Sequence, residues 1–350
     1  MRPSERLNGF MWSFYEVFGC VRRGRAFVGR FVVVVEIRVQ IVSSHPRVMG
    51  GVVGLSTELS ERLGLKYPIV IAPMFLISNK EMIVAAAEAG VLGTMPTLNA
   101  RTPEALRADL EWIRARTDRP FGLNLTIGLT DPERREIDMA LVEEFEVPVL
   151  ITSYGNPTEY ARRAHGRGIT VFHDVINLRH AQKAEAAGVD AVIGVAAGAG
   201  GHAGKISPYT LYPYLRENLN VPIIAAGCIS TGEQIAASLA LGAQLVYMGT
   251  RFIACIESAA QQAYKEMVVK AVPEDIVYTD GVSGVHANFF KQTLPDHPDF
   301  VPGIAGDTTK RWKSIWSAGH GSALVENIHP IGDIVTDLVE EYERTVQRLR

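Results

Sequence analysis

A chain of 350 residues, 47% apolar and 21% charged, can bury a large core and fits a single α/β barrel with added segments. With 35 basic against 38 acidic residues the formal net charge is −3, which excludes a global field for recruiting nucleic acid or an anionic membrane and leaves a small-molecule substrate as the expected partner. Cys20, Cys228 and Cys255 are far apart and lack C-x-x-C spacing, which argues against a disulfide framework and a zinc site and suits a reducing cytoplasm.

Residues 1–50 mix aromatics with Arg22, Arg23, Arg25 and Arg30 without a sustained helical period, and are expected to form a poorly ordered N-terminal extension. Their longest apolar run, Phe31–Val42, is broken by Glu36 and Arg38 and falls short of the roughly 18 residues of a membrane span. Glu16 interrupts the apolar region and no small-residue cleavage pattern follows, which argues against a secretory signal; the natural start is expected near Met49.

From Tyr67 onward short apolar runs alternate with amphipathic stretches of helical period, the pattern of repeated βα units around a buried parallel sheet. The predicted strands are Pro68–Ala72, Val91–Thr94, Phe121–Leu125, Val149–Thr152, Thr170–His173, Ala191–Val195, Pro222–Ala226 and Leu245–Met248. Between them the predicted helices are Lys80–Ala89, Pro103–Arg116, Glu133–Glu144, Thr158–His165, Leu178–Ala187, Leu211–Asn218 and Gly232–Leu241. Thr102-Pro103, Asp131-Pro132 and Thr231 are helix-start signals, and Gly90, Gly168, Gly188 and Gly242 follow helix ends. Eight strands in strict alternation point to an α/β fold of the closed (β/α)8 TIM barrel type over residues 51–256, with an open doubly wound sheet as the alternative. After Glu257 the alternation fails: Pro295–Lys310 is rich in Pro, Asp and Gly, and Asp333–Arg350 reads as a final charged helix. Residues 257–350 are therefore expected to form a C-terminal lid and helical extension that completes the barrel domain.

Ligands of such barrels bind at the C-terminal ends of the strands, with phosphate held by the loops after strands seven and eight. Those loops contain Gly227 and Gly249-Thr250; singly each glycine suits an ordinary turn, and jointly they favour phosphate. Arg251 can pair with phosphate or brace the rim, and Cys228 reads as a small buried residue rather than a nucleophile. The loop after strand six, Gly198-Ala199-Gly200-Gly201-His202-Ala203-Gly204-Lys205, offers close backbone approach to a flat ligand and one side chain, His202, that titrates near neutrality. Ala72-Pro73-Met74 ends strand one at the mouth, and Asn124 is polar in an apolar run, awaiting a backbone or ligand partner. His173, beside Asp174, is a second general-base candidate, with a structural His–backbone bond as the alternative.

Ala72-Pro73-Met74, Gly122-Leu123-Asn124-Leu125, Ala199-Gly200-Gly201-His202, Ala225-Ala226-Gly227 and Gly249-Thr250-Arg251-Phe252, in this order, resemble the nitronate monooxygenase (2-nitropropane dioxygenase-like) family over about Leu65 to Ser322. Trp316-Ser317-Ala318-Gly319-His320-Gly321 resembles that family's lid motif, with His320 where glutamine is common. The resemblance implies an FMN-binding barrel, with phosphate at Gly227, Gly249 and Thr250 and the isoalloxazine near Ala72, Pro73, Met74, Asn124 and the Ala199, Gly200, Gly201 and His202 loop. Members of the family carry a histidine base after strand four in a run like Ser-Phe-His-Phe-Gly. Here Thr152-Ser153-Tyr154-Gly155-Asn156 puts Ser153 at that position, and an unactivated hydroxyl does not readily take a carbon-bound proton. Cys228 stands where a second glycine is usual.

The resemblance implies oxidation of alkyl nitronates with O2, served by His202 and His173 for proton transfer. The alternative within the family is NADH- or NADPH-driven reduction of a quinone or enoyl thioester, to which the Tyr154-Gly155-Asn156-Pro157 run and Gly204-Lys205 are closer. A third reading, from another class, is a non-catalytic phosphate-ligand-binding barrel. Oligomerisation, as a homo-oligomer, is left open.

Overall fold

The computed structural model describes residues 55–282, 284–294 and 315–350. The expected extension over residues 1–50 and the Pro295–Lys310 stretch lie outside the described residues. Eight parallel strands form a closed barrel: β1 (Ile69–Ile71), β2 (Leu92–Pro96), β3 (Phe121–Thr126), β4 (Val149–Ser153), β5 (Thr170–Val175), β6 (Ala191–Val195), β8 (Ile223–Ala226) and β9 (Leu245–Met248). Closure comes from β1 pairing with β9 in the register Ile69↔Val246, Val70↔Tyr247 and Ile71↔Met248, which removes the open-sheet alternative.

The strands are apolar on both faces because both are covered. Val70, Leu92, Val149, Ile151, Phe172, Ile193, Ile224 and Leu245 point inward and cluster with Leu59 and Leu65, which close the lower end. Leu59 belongs to the short helix α1 (Glu58–Arg62), tied down where Thr57 Oγ1 donates to the Gln244 carbonyl just before β9. Leu123, Leu150, Val171, Val192, Ala225 and Val246, on the other parity, pack outward in the cluster that holds the surrounding helices. Two parities on every strand thus decide which side chains can face a ligand in the barrel mouth.

The outer helices are α2 (Lys80–Ala89), α3 (Pro103–Arg114), α4 (Pro132–Glu144), α5 (Thr158–His165), α6 (Leu178–Ala186), α7 (Pro208–Asn218) and α8 (Gly232–Ala240). The start signals work as expected: Thr102, Asp131 and Thr231 side chains accept hydrogen bonds from backbone N–H groups of the first turn. Gly90 closes α2 in the left-handed conformation, φ +81.

The region after β9 holds more structure than the sequence suggests. Short helix α9 (Thr250–Ile253) follows β9 directly, and α10 (Gln262–Lys270) precedes β10 (Ile276–Thr279) and β11 (Ala287–Phe290). These two strands form an antiparallel three-stranded sheet with the two-residue strand β7 (Gly201–His202), which comes from the loop after β6. The failure of βα alternation after Glu257 therefore marks a change of strand direction, not a loss of strands. The final helix, Ile331–Leu349, buries Ile331, Ile334, Val335, Leu338, Val339 and Tyr342 against the barrel's outer layer. Among the described residues no helix is long and apolar enough to cross a membrane.

Gly232 fixes how closely that last helix docks. A Cβ there would collide with the backbone at Leu338 and Tyr342, and its N–H donates to Glu341 Oε2 at 2.7 Å. Gly232→Ala is expected to destabilise the fold by about 1–3 kcal/mol, the usual range for overpacking, measured as a fall in denaturant midpoint with unchanged slope; an unaltered midpoint contradicts this docking.

Candidate active site

At the C-terminal ends of the strands the inward parity changes from apolar to polar. Asn124 on β3, Ser153 on β4, Asp174 on β5 and Tyr247 on β9 sit above the layer of Ile151, Phe172 and Ile193. Asn124, Ser153 and Asp174 form a chain of hydrogen bonds. Asn124 Nδ2 donates to Ser153 Oγ at 2.8 Å and to the Ile151 carbonyl at 3.2 Å, and Ser153 Oγ donates to Asp174 Oδ2 at 2.6 Å. The partner that Asn124 needs is therefore supplied by the protein itself. Asp174 lies deep in the barrel, its Oδ1 enclosed without a hydrogen-bond partner while part of its surface stays open to the cavity. Burial pushes its carboxyl up to about 6, against the opposing effect of the Ser153 bond. Burial, with the nearby Asp174 charge, also raises the Tyr154 and Tyr247 phenols.

The loops after the seventh and eighth barrel strands run along the opposite side of the mouth. After β8 the backbone passes through Gly227 at φ +123 and Cys228 at φ +55, and after β9 Gly249 leads into α9. This is the arrangement in which barrel loops and a short extra helix cradle phosphate. Ser230 Oγ, in the first of these loops, is buried without a hydrogen-bond partner, a donor placed where an anionic group would satisfy it. Cys228, unlike glycine, adopts the left-handed conformation at a cost of about 1–2 kcal/mol. Burial raises its thiol pKa, and Sγ contacts the Ala197 carbonyl at 3.5 Å, which suits a packed side chain rather than a nucleophile. Arg251, left open between phosphate and rim, is a brace: its guanidinium is buried and donates to Asn327 Oδ1 at 2.7 Å and to the Asn327 carbonyl at 3.3 Å.

The glycine loop after β6 closes the third side. A Cβ on Gly200 would lie 2.9 Å from the Gly319 nitrogen and 3.1 Å from Thr250 Oγ1, so only glycine lets the three segments meet. Gly319 N–H donates to Thr250 Oγ1 at 3.0 Å and His320 N–H to the Gly198 carbonyl at 3.0 Å, which brings the lid motif onto both loops. His202, on β7, packs edge-on against Tyr154 with ring centroids 5.0 Å apart, and burial lowers its pKa.

Ala72, Pro73, Met74, Asn124, Ala199, Gly200, Gly201, His202, Gly227, Gly249 and Thr250 all border one cavity of about 1460 Å³. His173 borders it too, along the part that runs over α6 past His180 and Lys183, but it does not join the inner layer. It shares the outward parity of Val171 and Val175 and holds Thr152 Oγ1 at 2.8 Å from Nδ1. The pairing of His173 with Asp174 expected from their adjacency is undone by strand geometry, which sends neighbours to opposite faces. Tyr247 and Ser230 border the same cavity without any mark in the sequence, and Asp174, marked there only as the neighbour of His173, is brought to it by the inward parity of Phe172 that barrel closure fixes.

The family model for nitronate monooxygenase matches residues 56–295. The chain belongs to the nitronate monooxygenase family, a family of oxidoreductases. It is 28% identical to a nitronate monooxygenase of Paraburkholderia phytofirmans, over 82% of this chain and 95% of that one. Among solved structures it is similar to FabK from Thermotoga maritima, with TM-score 0.74 and 31% identity over 84% of this chain and 98% of that one. It is also similar to nitroalkane oxidase from Streptomyces ansochromogenes, with TM-score 0.73 and 26% identity over 83% and 99% of the two chains.

Burial lowers the His173 pKa to about 4, so its imidazole stays neutral in the fold over a range where the unfolded chain, with an ordinary value near 6.5, takes up a proton. Its contribution to stability is complete above about 6.5 and is lost as pH falls toward 4. The melting temperature of His173→Asn relative to wild type is accordingly expected to rise as pH is lowered from 7 to 5; a constant difference contradicts the buried, neutral assignment.

Proposed function

We propose that this chain is an FMN-dependent oxidoreductase that oxidises alkyl nitronates with O2. The observation that carries the reading is the convergence, in a member of this family, of both phosphate-type loops and the glycine loop on one cavity. The backbone at Gly227, Gly249 and Thr250, with the unpartnered Ser230 hydroxyl, fits the cofactor phosphate. Ala72, Pro73, Met74, Asn124 and the Ala199–Gly201 backbone are placed to hold the ring system, and the bound flavin would supply the electron chemistry.

The protein's own part is orientation, exclusion of water and control of protons. Pro73 and Met74 give the seat an apolar wall, while the Asn124 amide is held in one orientation by Ile151 and Ser153. His202, kept neutral by burial and positioned by Tyr154, is placed to accept a proton at its imidazole. A nitronate is already deprotonated, so its oxidation tolerates Ser153 where relatives carry a histidine. The unpaired thiols Cys228 and Cys255 suit a cytoplasmic setting.

A second reading, reduction of a quinone or enoyl thioester by NADH or NADPH, draws on the cavity, whose size exceeds the roughly 300–1,000 Å³ of ordinary ligand pockets. Anaerobic absorbance titration of the FMN-loaded protein separates the two. Bleaching by propionate 3-nitronate and not by NADH or NADPH is expected, and rapid bleaching by a nicotinamide alone overturns the first reading in favour of the second. His202→Ala is expected to lower kcat/KM for nitronate while retaining FMN, and an unchanged kcat/KM contradicts a role for the imidazole. Gly249→Val, whose side chain would press on Met74 and Ala72, should lose FMN on gel filtration.

A further inference from the structure

Tyr154, the residue after β4, points where strand alternation does not send it. Val149 and Ile151 face the barrel interior, so Ser153 faces it too, and a continued strand would turn residue 154 toward the outer helices. Tyr154 leaves the strand at φ +54, a left-handed conformation that aromatic residues rarely adopt. Its neighbours enforce that turn. Ile127 N–H donates to the Ser153 carbonyl at 2.8 Å, and a Cβ on Gly128 would lie 2.5 Å from the Tyr154 carbonyl oxygen, so the glycine makes room for it. The ring consequently borders the cavity and meets His202 edge-on, and backbone strain held in place by packing is a feature of ligand-binding positions.

The phenol hydroxyl has no task in the reading above. Among the described residues it has no hydrogen-bond partner, although the residue is half-buried and a buried phenol ordinarily has one. Burial and the nearby Asp174 charge raise its pKa, so it remains a donor at neutral and alkaline pH. Among the described residues that border the cavity, the side chain of fixed positive charge is Lys183, on α6 and outside the inner mouth. A nitronate seated beside Asp174 must therefore be held by neutral donors. The family run Ser-Phe-His-Phe-Gly has phenylalanine where Tyr154 stands, so this hydroxyl is a group that the run of relatives lacks.

We propose that Tyr154 is a specificity-determining residue whose hydroxyl donates a hydrogen bond to an oxygen of the nitronate and thereby sets the affinity for a planar anion with two oxygens on one atom. The substrate class rests on the function proposed above. The contact is one of binding alone: the phenol keeps its proton, no bond is made or broken, and the electron chemistry stays with the flavin. An interaction present equally before and during the reaction lowers KM without raising kcat. His202 is served by the ring rather than by the hydroxyl, since the two rings meet edge-on with centroids 5.0 Å apart. The two roles can thus be separated by a substitution that removes one oxygen atom.

Tyr154→Phe is that substitution; it keeps the ring and restores the residue of the family run. The FMN-loaded variant is expected to keep its flavin spectrum and melting temperature while its KM for 1-nitropropane nitronate rises about tenfold, the effect of losing one hydrogen bond to a charged group. Equilibrium dialysis against labelled butyrate, a carboxylate of the same shape that the flavin does not oxidise, gives the affinity without turnover. Wild type is expected to bind butyrate, and Tyr154→Phe to bind it about tenfold more weakly. Equal butyrate affinity in the two proteins, no butyrate binding by wild type, or a loss confined to kcat overturns the proposal. A wild type whose butyrate binding depends on Tyr154 but which oxidises no nitronate would contradict the proposed function and not the role of Tyr154.

Discussion

The pairing of β1 with β9 is the constraint on which the rest of the molecule depends. Once Ile69, Val70 and Ile71 hydrogen-bond in register with Val246, Tyr247 and Met248, the sheet has no edges, and every strand's C-terminal end opens on one face. Closure also commits each side chain to one of two environments. Phe172 is locked inside, so Asp174 must face the mouth and His173 must face α6. A carboxylate in that position is expensive to bury, and the stability it costs is offset by the two apolar layers, inside and outside the same strands. The polar chain Asn124–Ser153–Asp174 is thus an interruption of an otherwise apolar interior, held in one arrangement by its own hydrogen bonds.

The C-terminal third of the chain anchors the loops that the barrel alone would leave loose. Asn288 Nδ2 on β11 donates to the Ala199 carbonyl at 2.6 Å, and Tyr278 OH on β10 donates to the Ala203 carbonyl at 2.8 Å, gripping the glycine loop on both sides of His202. The lid segment meets the same loop at Gly198 and the phosphate-type loop at Thr250. A loop this rich in glycine loses much conformational entropy on ordering, and these bonds supply the order. His202 owes its position to the three-stranded sheet and to Tyr154.

The barrel was legible because βα repetition leaves marks at every level: β-branched runs, capped helix starts and glycine at helix ends. The strand Ala191–Val195 and the helices Lys80–Ala89 and Thr158–His165 agree with expectation to the residue. The site was legible where it depends on chain order, since Gly227 and Gly249 follow the seventh and eighth barrel strands in any closed barrel. It was not legible where it depends on strand parity. A strand buried on both faces shows no polar alternation, so the sequence cannot say whether His173 or Asp174 faces inward. Nor does local sequence reveal β7, whose two residues become a strand only by pairing with β11, far along the chain. Arg251 illustrates a third limit: its partner, Asn327, lies after the whole lid segment, and a charged residue beside a phosphate-type loop carries no signal of which partner it meets.

The proposed flavin seat at the mouth of the barrel has its anionic end at the loops after β8 and β9. A crystal structure of the FMN-loaded protein tests it most directly. The cofactor phosphate is expected within hydrogen-bond distance of the backbone N–H groups at Gly227–Cys228 and Gly249–Thr250 and of Ser230 Oγ, with the ring system above Asn124. A phosphate bound elsewhere in the cavity, or a flavin ring lying over α6 beside His173, would contradict it.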